Sequence, residues 1–308
     1  MAFIFNCSHE MALAANKSEY TPPKIVKRME EDLKNLSSLL NENVIDKDIT
    51  VWGWNKAIKQ QLIKRGYDSN HMPTDEQIEN IRYYASRKYA SIYRNKLEIE
   101  QYQDTFVDNE MKFITDINKL ECSEGTYITK TPWSSSGRGI KIVNNKDFPS
   151  PPFLIDKFYN KVVDFAFEYK VTDKDVEYIG ISVFKASTDG KYEYNYVLPQ
   201  TELKNIIIQQ GVNEQIIDYL QELHKTLLKK ELIGKYKGIV GIDMMVVNES
   251  DTIKIHPCLE LNLRMNMGVL AIMLYKQYGC NSFACIGNPN GFQAILDKNQ
   301  FYIKYNKS

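Results

Sequence analysis

Two stretches decide how this chain reads: VGIDMMVV at residues 240–247 and KIHPCLELNLRMNMG at residues 254–268. They form the larger part of two strands, 238–247 and 252–261, separated by the turn NESD at 248–251. Asp243 interrupts an otherwise apolar strand. Glu260 and Asn262 are two apart, so they share one face of their strand, and Arg264 continues that face. A buried carboxylate is costly unless it is paired or binds a metal. Asp, Glu and Asn oxygens on adjacent strands suit magnesium, a hard cation that shares its shell with phosphates. An internal salt bridge between Arg264 and one of the carboxylates is the structural alternative.

Upstream lies KTPWSSSGRGIKIV at residues 130–143. A strand, TYITK at 126–130, ends on Lys130, and the chain returns as a strand at 140–143. The connection holds Ser134, Ser135, Ser136, Gly137, Arg138 and Gly139. The two glycines permit positive φ and let backbone N–H groups approach an anion closely. The hydroxyls and Arg138 add donors, so the loop reads as a hairpin cover for phosphates. It is not a Walker loop, because no helix follows and the GK[ST] signature is missing. A polar surface hairpin is the bland alternative.

Between these segments, prolines at 149, 151 and 152 mark a turn before the strand FLID at 153–156. DFAFEYKV at 164–171 alternates and reads as a strand. Residues 178–186 and 192–197 read as antiparallel neighbours turning at Asp189 and Gly190, and 214–230 as a helix. Gly268 precedes an apolar helix over 269–278. The first part of the chain mixes strand and helix. A short apolar strand starts within residues 2–6, TPPK at 21–24 opens a helix running to residue 40, and TVWGW at 50–54 is β-rich. A helix over 55–65 ends at Gly66, and 74–95 is helical with a break near Ser86. This predicts a small α/β domain. The polar loop after its first strand carries Asn6, His9, Glu10, Asn16 and Tyr20, and ligands bind at such loops in α/β architecture. A helix-capping loop is the alternative.

The chain's 308 residues with 43% hydrophobic content supply a core for one large or several small domains. The formal net charge is zero, which removes the electrostatic case for non-specific binding to nucleic acid or to a membrane. No run of about 18 uncharged apolar residues exists to span a bilayer, and no basic lead-in marks a secretory signal. The five cysteines are scattered and fit reduced thiols in a cytoplasmic protein. The four histidines show no helical metal spacing.

Taken in order, these features are more specific than each alone. A strand lysine, a small-residue hairpin, an apolar strand into a hinge, then Asp on one strand and ExN on the next: this order resembles the ATP-grasp superfamily, over roughly residues 86–275. FNxxHxxALA at 5–14 also resembles the start of one bacterial ATP-grasp group. The resemblance implies an α/β fold of α+β subdomains. Residues 1–85 would be a small leading domain, 86–156 a lid-bearing subdomain and 157–308 a metal- and substrate-binding subdomain. ATP would lie between the two subdomains, with Mg2+, or alternatively Mn2+. Lys130 resembles the lysine that reaches the phosphates, residues 134–139 the phosphate-covering loop, and Asp243, Glu260 and Asn262 the metal ligands. Arg264 resembles an arginine that steadies the transferred phosphate, and Lys130 and Arg264 are the catalytic candidates. Asp156, Lys157 and Phe158 resemble the adenine-contacting hinge. Glu168 is preferred over Asp164 as the ribose acid, and Arg87 over Lys88 as a further basic residue. Asn6, His9 and Glu10 are substrate candidates. The implied activity is ADP-forming ligation of a small carboxylate to an amine, or to a thiol, through an acyl phosphate. A small-molecule kinase and a non-catalytic nucleotide-binding module are the alternatives. Partners are small molecules, with no nucleic acid and no membrane, and a homodimer is left open.

Overall fold

The computed structural model describes residues 2–33, 49–134, 137–144, 147–188, 190–279, 284–287 and 302–305. The chain opens with β1 (Ala2–Ile4), α1 (His9–Ala15) and α2 (Lys24–Leu33), and residues 34–40 of the expected helix lie outside the described residues. β2 (Ile49–Val51) pairs with β1 in parallel. α3 (Lys56–Lys64) is capped by Asn55, whose side chain accepts from Ile58 N at 3.0 Å. α4 (Asp75–Tyr84) begins with a Thr74/Gln77 capping box. The expected break falls at Ser86, whose hydroxyl accepts from Tyr89 N at 3.1 Å and so caps α5 (Arg87–Lys96).

One expectation for this part is corrected. The polar stretch after β1 is not a loop over its length, because His9 and Glu10 form the first turn of α1 and are buried. Their neighbours Ala12 and Leu13 are core residues, and the helix follows this apolar anchoring rather than the polarity of its start.

β3 (Lys112–Ile114), which the sequence reading did not contain, joins β4 (Thr126–Lys130), β5 (Ile140–Asn144) and β6 (Phe153–Lys157). They form a four-stranded antiparallel sheet in the order β3-β6-β4-β5. The chain then crosses into β7 (Asn160–Val171), β8 (Val176–Ala186) and β9 (Tyr192–Tyr196). α6 (Gln200–Ile208), also unforeseen, and α7 (Glu214–Leu232) follow. β10 (Gly238–Glu249), β11 (Thr252–Asn262), α8 (Met267–Tyr278), β12 (Ala284–Gly287) and β13 (Tyr302–Tyr305) complete the described elements. The second large sheet has seven strands in the order β11-β10-β7-β8-β9-β12-β13. Gly268 lies inside the first turn of α8 rather than before it. Among the described residues no helix is long and apolar enough to cross a membrane.

Strand alternation divides the seven-stranded sheet into two faces. Phe165, Phe167 and Tyr169 of β7 join Val240, Ile242, Met244 and Val246 of β10 and Ile181 and Val183 of β8 in the main core, with Leu220, Leu227 and Leu228 of α7. The residues between them, Asp164, Ala166, Glu168, Asp243 and Ser182, line a cavity on the opposite face. The β10–β11 ladder carries one irregularity. Asp243 pairs with Glu260 and Met245 with His256, so residues 257–259 stand opposite the single Met244. Pro257 has no N–H for the ladder, and it sits here, on a strand at the end of the sheet order. Its carbonyl accepts a hydrogen bond from His224 Nε2 at 2.9 Å.

Candidate active site

The two larger sheets face each other across a cavity of about 1090 Å³. β7 serves as a ruler along its floor, because the chain enters that strand directly from β6. On the hinge side, Asp164 pairs in register with Met245 and Phe184. One step on, Ala166 stands beside Asp243, which stands beside Glu260. A further step on, Glu168 is level with Gly241 and Asn262. At about 3.3 Å per residue, Glu168 lies about 13 Å from Asp164 along the strand.

The middle row carries the densest charge. Asp243 and Glu260 are direct cross-strand partners joined by a side-chain hydrogen bond. Burial, and then the Glu260 charge, push the Asp243 carboxyl well above its ordinary range. Asn262 Nδ2 donates to Asp243 Oδ2 at 3.0 Å, and Arg264 Nη2 donates to Asn262 Oδ1 at 3.2 Å. Arg87, at the start of α5, forms an ion pair with Glu260. Lys130 is buried at the end of β4 and shares the cavity. Burial, and then repulsion from Arg87, lower its pKa, while Glu260, Asp156 and Asp243 act against this. Two carboxyl groups held together by a shared proton beside one carboxamide make a donor set in which a divalent cation would replace that proton. Among the described residues no cluster of three His, Cys, Asp or Glu side chains exists, so further ligands would come from phosphates and water.

The covering hairpin is anchored at its root. Trp133 Nε1 donates to Arg82 O at 2.9 Å, and the Arg82 guanidinium lies 4.2 Å from the Trp133 ring centroid. Gly137 and Gly139 both have positive φ, 75° and 71°. A Cβ on Gly137 would come within 2.8 Å of the Gly190 backbone, so the hairpin tip touches the β8–β9 turn. Arg138 Nη1 reaches Met11 Sδ at 3.3 Å. The Ser134 hydroxyl and Arg87 Nε are buried with no partner, and Arg87 Nη2 approaches Ser134 O at 3.4 Å. Unpaired buried donors beside a cavity suit an anion. Ser135 and Ser136 lie outside the described residues.

At the hinge, Asp156, Lys157 and Phe158 all line the cavity. Asp156 is 2% exposed and its Oδ2 is 2.9 Å from His256 Nε2. This contact joins the two sheets, and the sequence reading missed it because His256 is 100 positions away. Lys157 Nζ pairs with Glu249 at 2.6 Å.

Several sequence expectations separate here. Arg87 is buried at the cavity whereas Lys88 is exposed, so Arg87 is the basic residue of the pair that reaches it. The two candidate ribose acids, Glu168 and Asp164, sit at different levels of β7. Asp164 is the acid on the hinge side of the carboxylate row, and Glu168 lies beyond that row. Glu168 Oε1 accepts from Ser182 Oγ at 2.9 Å and Oε2 from Asn266 Nδ2 at 2.6 Å. Burial pushes its pKa up to about 7, against the pull of those donors and of Arg264. Asn266 was readable in principle, since it extends the alternation Glu260, Asn262, Arg264.

The leading segment contributes unevenly. Glu10 lines the cavity and pairs with Arg264, so that arginine's carboxylate partner is not Asp243 or Glu260. Burial alone would raise the Glu10 pKa, but Arg264 holds it below the ordinary value. Asn6 bonds the Gly53 backbone, its amide donating to O at 2.7 Å and accepting from N at 3.0 Å. His9 is 1% exposed and packs on Gly53, and burial lowers its pKa to about 4.

No family model and no curated protein matches the chain. Solved structures do. A protein assigned to the ATP-grasp superfamily from Archaeoglobus fulgidus superposes with a TM-score of 0.51 at 12% identity, covering 98% of this chain and 97% of its own. The biotin carboxylase domain of Hydrogenobacter thermophilus 2-oxoglutarate carboxylase, solved with MgADP and bicarbonate, gives 0.51 at 11% identity over 100% and 83%. Biotin carboxylase from Campylobacter jejuni, in complex with an ATP analogue, gives 0.50 at 12% over 97% and 81%. The likeness runs through both sheets and the leading segment, and the chain has the ATP-grasp fold.

Proposed function

We infer that this protein is an ATP- and magnesium-dependent ligase that activates a carboxylate and joins it to a nucleophile, releasing ADP. The observation that carries this reading is the cluster Asp243–Glu260–Asn262 sharing one cavity with Lys130 and Arg87. Opposed carboxylates beside two cations are the arrangement that a metal-bound polyphosphate would satisfy on both sides. The adenine would lie at Asp156, Lys157 and Phe158, the ribose at Asp164, and the phosphates under the hairpin of residues 134–139.

In this reading the substrate carboxylate oxygen attacks the γ-phosphorus, and the bond to the bridging oxygen breaks with its electron pair leaving on ADP. Lys130 and Arg87 hold the phosphate oxygens in line and offset their charge as the bond breaks. Asp243, Glu260 and Asn262 would hold magnesium, which would supply charge neutralisation when bound. Arg264, held by Glu10, steadies the acyl phosphate, and the hairpin keeps water away from it. The chain divides, in the same proposal, into a leading unit of residues 1–85, a lid-bearing unit of 86–156 and a metal- and substrate-binding unit of 157–308. The change of sheet between β6 and β7 supports the second boundary.

The test is calorimetry with MgADP, followed by ADP release from MgATP with pooled amino acids and small carboxylates and product mass. MgADP binding that Asp243→Asn weakens, with ADP release cut at least about a hundredfold, supports the reading. A parent protein that ignores MgADP ends it.

A further inference from the structure

Glu168 is 1% exposed, lines the cavity, and has neutral partners, Ser182 and Asn266. Among the described residues no lysine or arginine forms an ion pair with it, whereas Asp164, Glu260 and Glu10 each have one, and Asp243, which also lacks one, lies against the Glu260 carboxyl. Asp164 has Lys161 at 2.6 Å, Glu260 has Arg87, and Glu10 has Arg264. Arg264, whose positive charge acts on Glu168, is committed to Glu10 and Asn262. A buried carboxylate without a cation is expensive. The surroundings nevertheless protect it. A Cβ on Gly268 would lie 2.3 Å from Glu168 Oε1, and one on Gly241 would lie 2.7 Å from Oε2. The carboxylate therefore occupies space that any other residue at those two positions would fill. Asn266 is fixed in turn, because its Oδ1 caps α8 by accepting from Val269 N at 2.9 Å, which leaves its N–H group for Glu168.

Its place along β7 says which part of a ligand it meets. The hinge and Asp164 come first, the Asp243–Glu260 pair second, and Glu168 third, level with Asn262 and on the far side of that pair from the hinge. Resting on the ligase reading above, we propose that Glu168 receives the ammonium group of the acceptor and takes its first proton, so that the nucleophile is a primary amine and not a thiol. The ammonium supplies the missing cation, and Ser182 and Asn266 hold the carboxylate oriented toward it. The ammonium gives one N–H proton to Glu168, and the freed lone pair attacks the activated carbonyl carbon. The C–O bond to phosphate breaks, phosphate leaves with that electron pair, and the nitrogen's surplus proton leaves with it. Glu168 returns its proton to solvent as product departs.

The experiment compares the parent with Glu168→Gln in three measurements: MgADP calorimetry, thermal melting, and product mass from MgATP with small carboxylates plus either the twenty amino acids or coenzyme A. The expected result is unchanged MgADP affinity, a higher melting temperature in the variant, and amide product that falls about a hundredfold or more in it. The melting temperature decides the case even where no product forms, because a neutral amide relieves an uncompensated charge, whereas a carboxylate kept for the fold loses stability when replaced. A lower melting temperature, a thioester product, or amide formation equal to the parent's overturns the proposal. A parent protein that does not bind MgADP removes the ligase reading itself, and this proposal falls with it.

Discussion

Glu10 and Arg264 stand 254 positions apart and meet in one buried ion pair. Removing one partner of such a pair leaves the other charge without compensation, which costs roughly 3–5 kcal/mol. Glu10→Ala is therefore expected to lower unfolding free energy by about that amount in urea titrations, while MgADP affinity by calorimetry stays at the parent value, since Glu10 pairs with Arg264 and not with the hinge, Lys130 or Arg87. Glu10→Gln, which keeps the shape and one acceptor, should lose less. The residues legible from sequence were those whose chemistry conflicts with their surroundings: Asp243 in an apolar strand, and Glu260 and Asn262 on one face. Asp156 was legible as a hinge acid, but its partner His256 was not, because no local spacing connects residues on different sheets. Asn6 is ambiguous for the opposite reason. A polar residue after a first strand has the same appearance whether it meets a ligand or, as here, the Gly53 backbone.

Strands proved easier to read than helices at the scale of the element. The bounds 126–130 matched β4, and the alternation in β7 separated core from cleft, because period two is set by the pleat itself. α1 and α6 escaped, the first because its opening turn is polar and buried, the second because IIIQQG at residues 206–211 offers no clear amphipathic spacing. The hairpin gives an element-level prediction. Gly137→Ala would force a side chain onto the Gly190 backbone and into a positive-φ position, so the hairpin tip could no longer rest on the β8–β9 turn. MgADP affinity should fall about tenfold, as for a lost lid contact, with little change in melting temperature because the strained residue is not in the core. Amide hydrogen exchange at residues 137–140 should slow on adding MgADP to the parent and much less in the variant. Equal protection in both would make the hairpin a passive surface loop.

Across the whole molecule, two neutral buried histidines couple folding to acidity. His224 bridges α7, α5 and β11 through Pro257 O at 2.9 Å and Tyr93 Oη at 3.1 Å, and burial lowers its pKa to about 3. The unfolded chain takes up its proton near the ordinary imidazole value of 6.5, whereas the folded chain refuses it. His224 thus costs no stability above that pH, and its share of stability drains away as pH falls from 6.5 toward about 3, by about 1.4 kcal/mol per pH unit. The stability advantage of the parent over His224→Gln should shrink at that rate in urea titrations run at progressively acidic pH. A constant gap would mean that His224 is charged in the folded state. Fold class and the order of site-bearing segments were legible because they follow from chain order and strand period. The contacts between sheets were not, because they depend on how two surfaces close over one cavity. The β10–β11 ladder finally bears on which genetic changes this protein can survive. Residues 257–259 already bulge opposite Met244, and strands keep their faces only in steps of two. Losing or gaining one residue in that stretch would turn Glu260, Asn262 and Arg264 into the core together, whereas gaining two would return them to the cleft. Single-codon insertions and deletions there should be absent from any library selected for activity, and paired ones should persist.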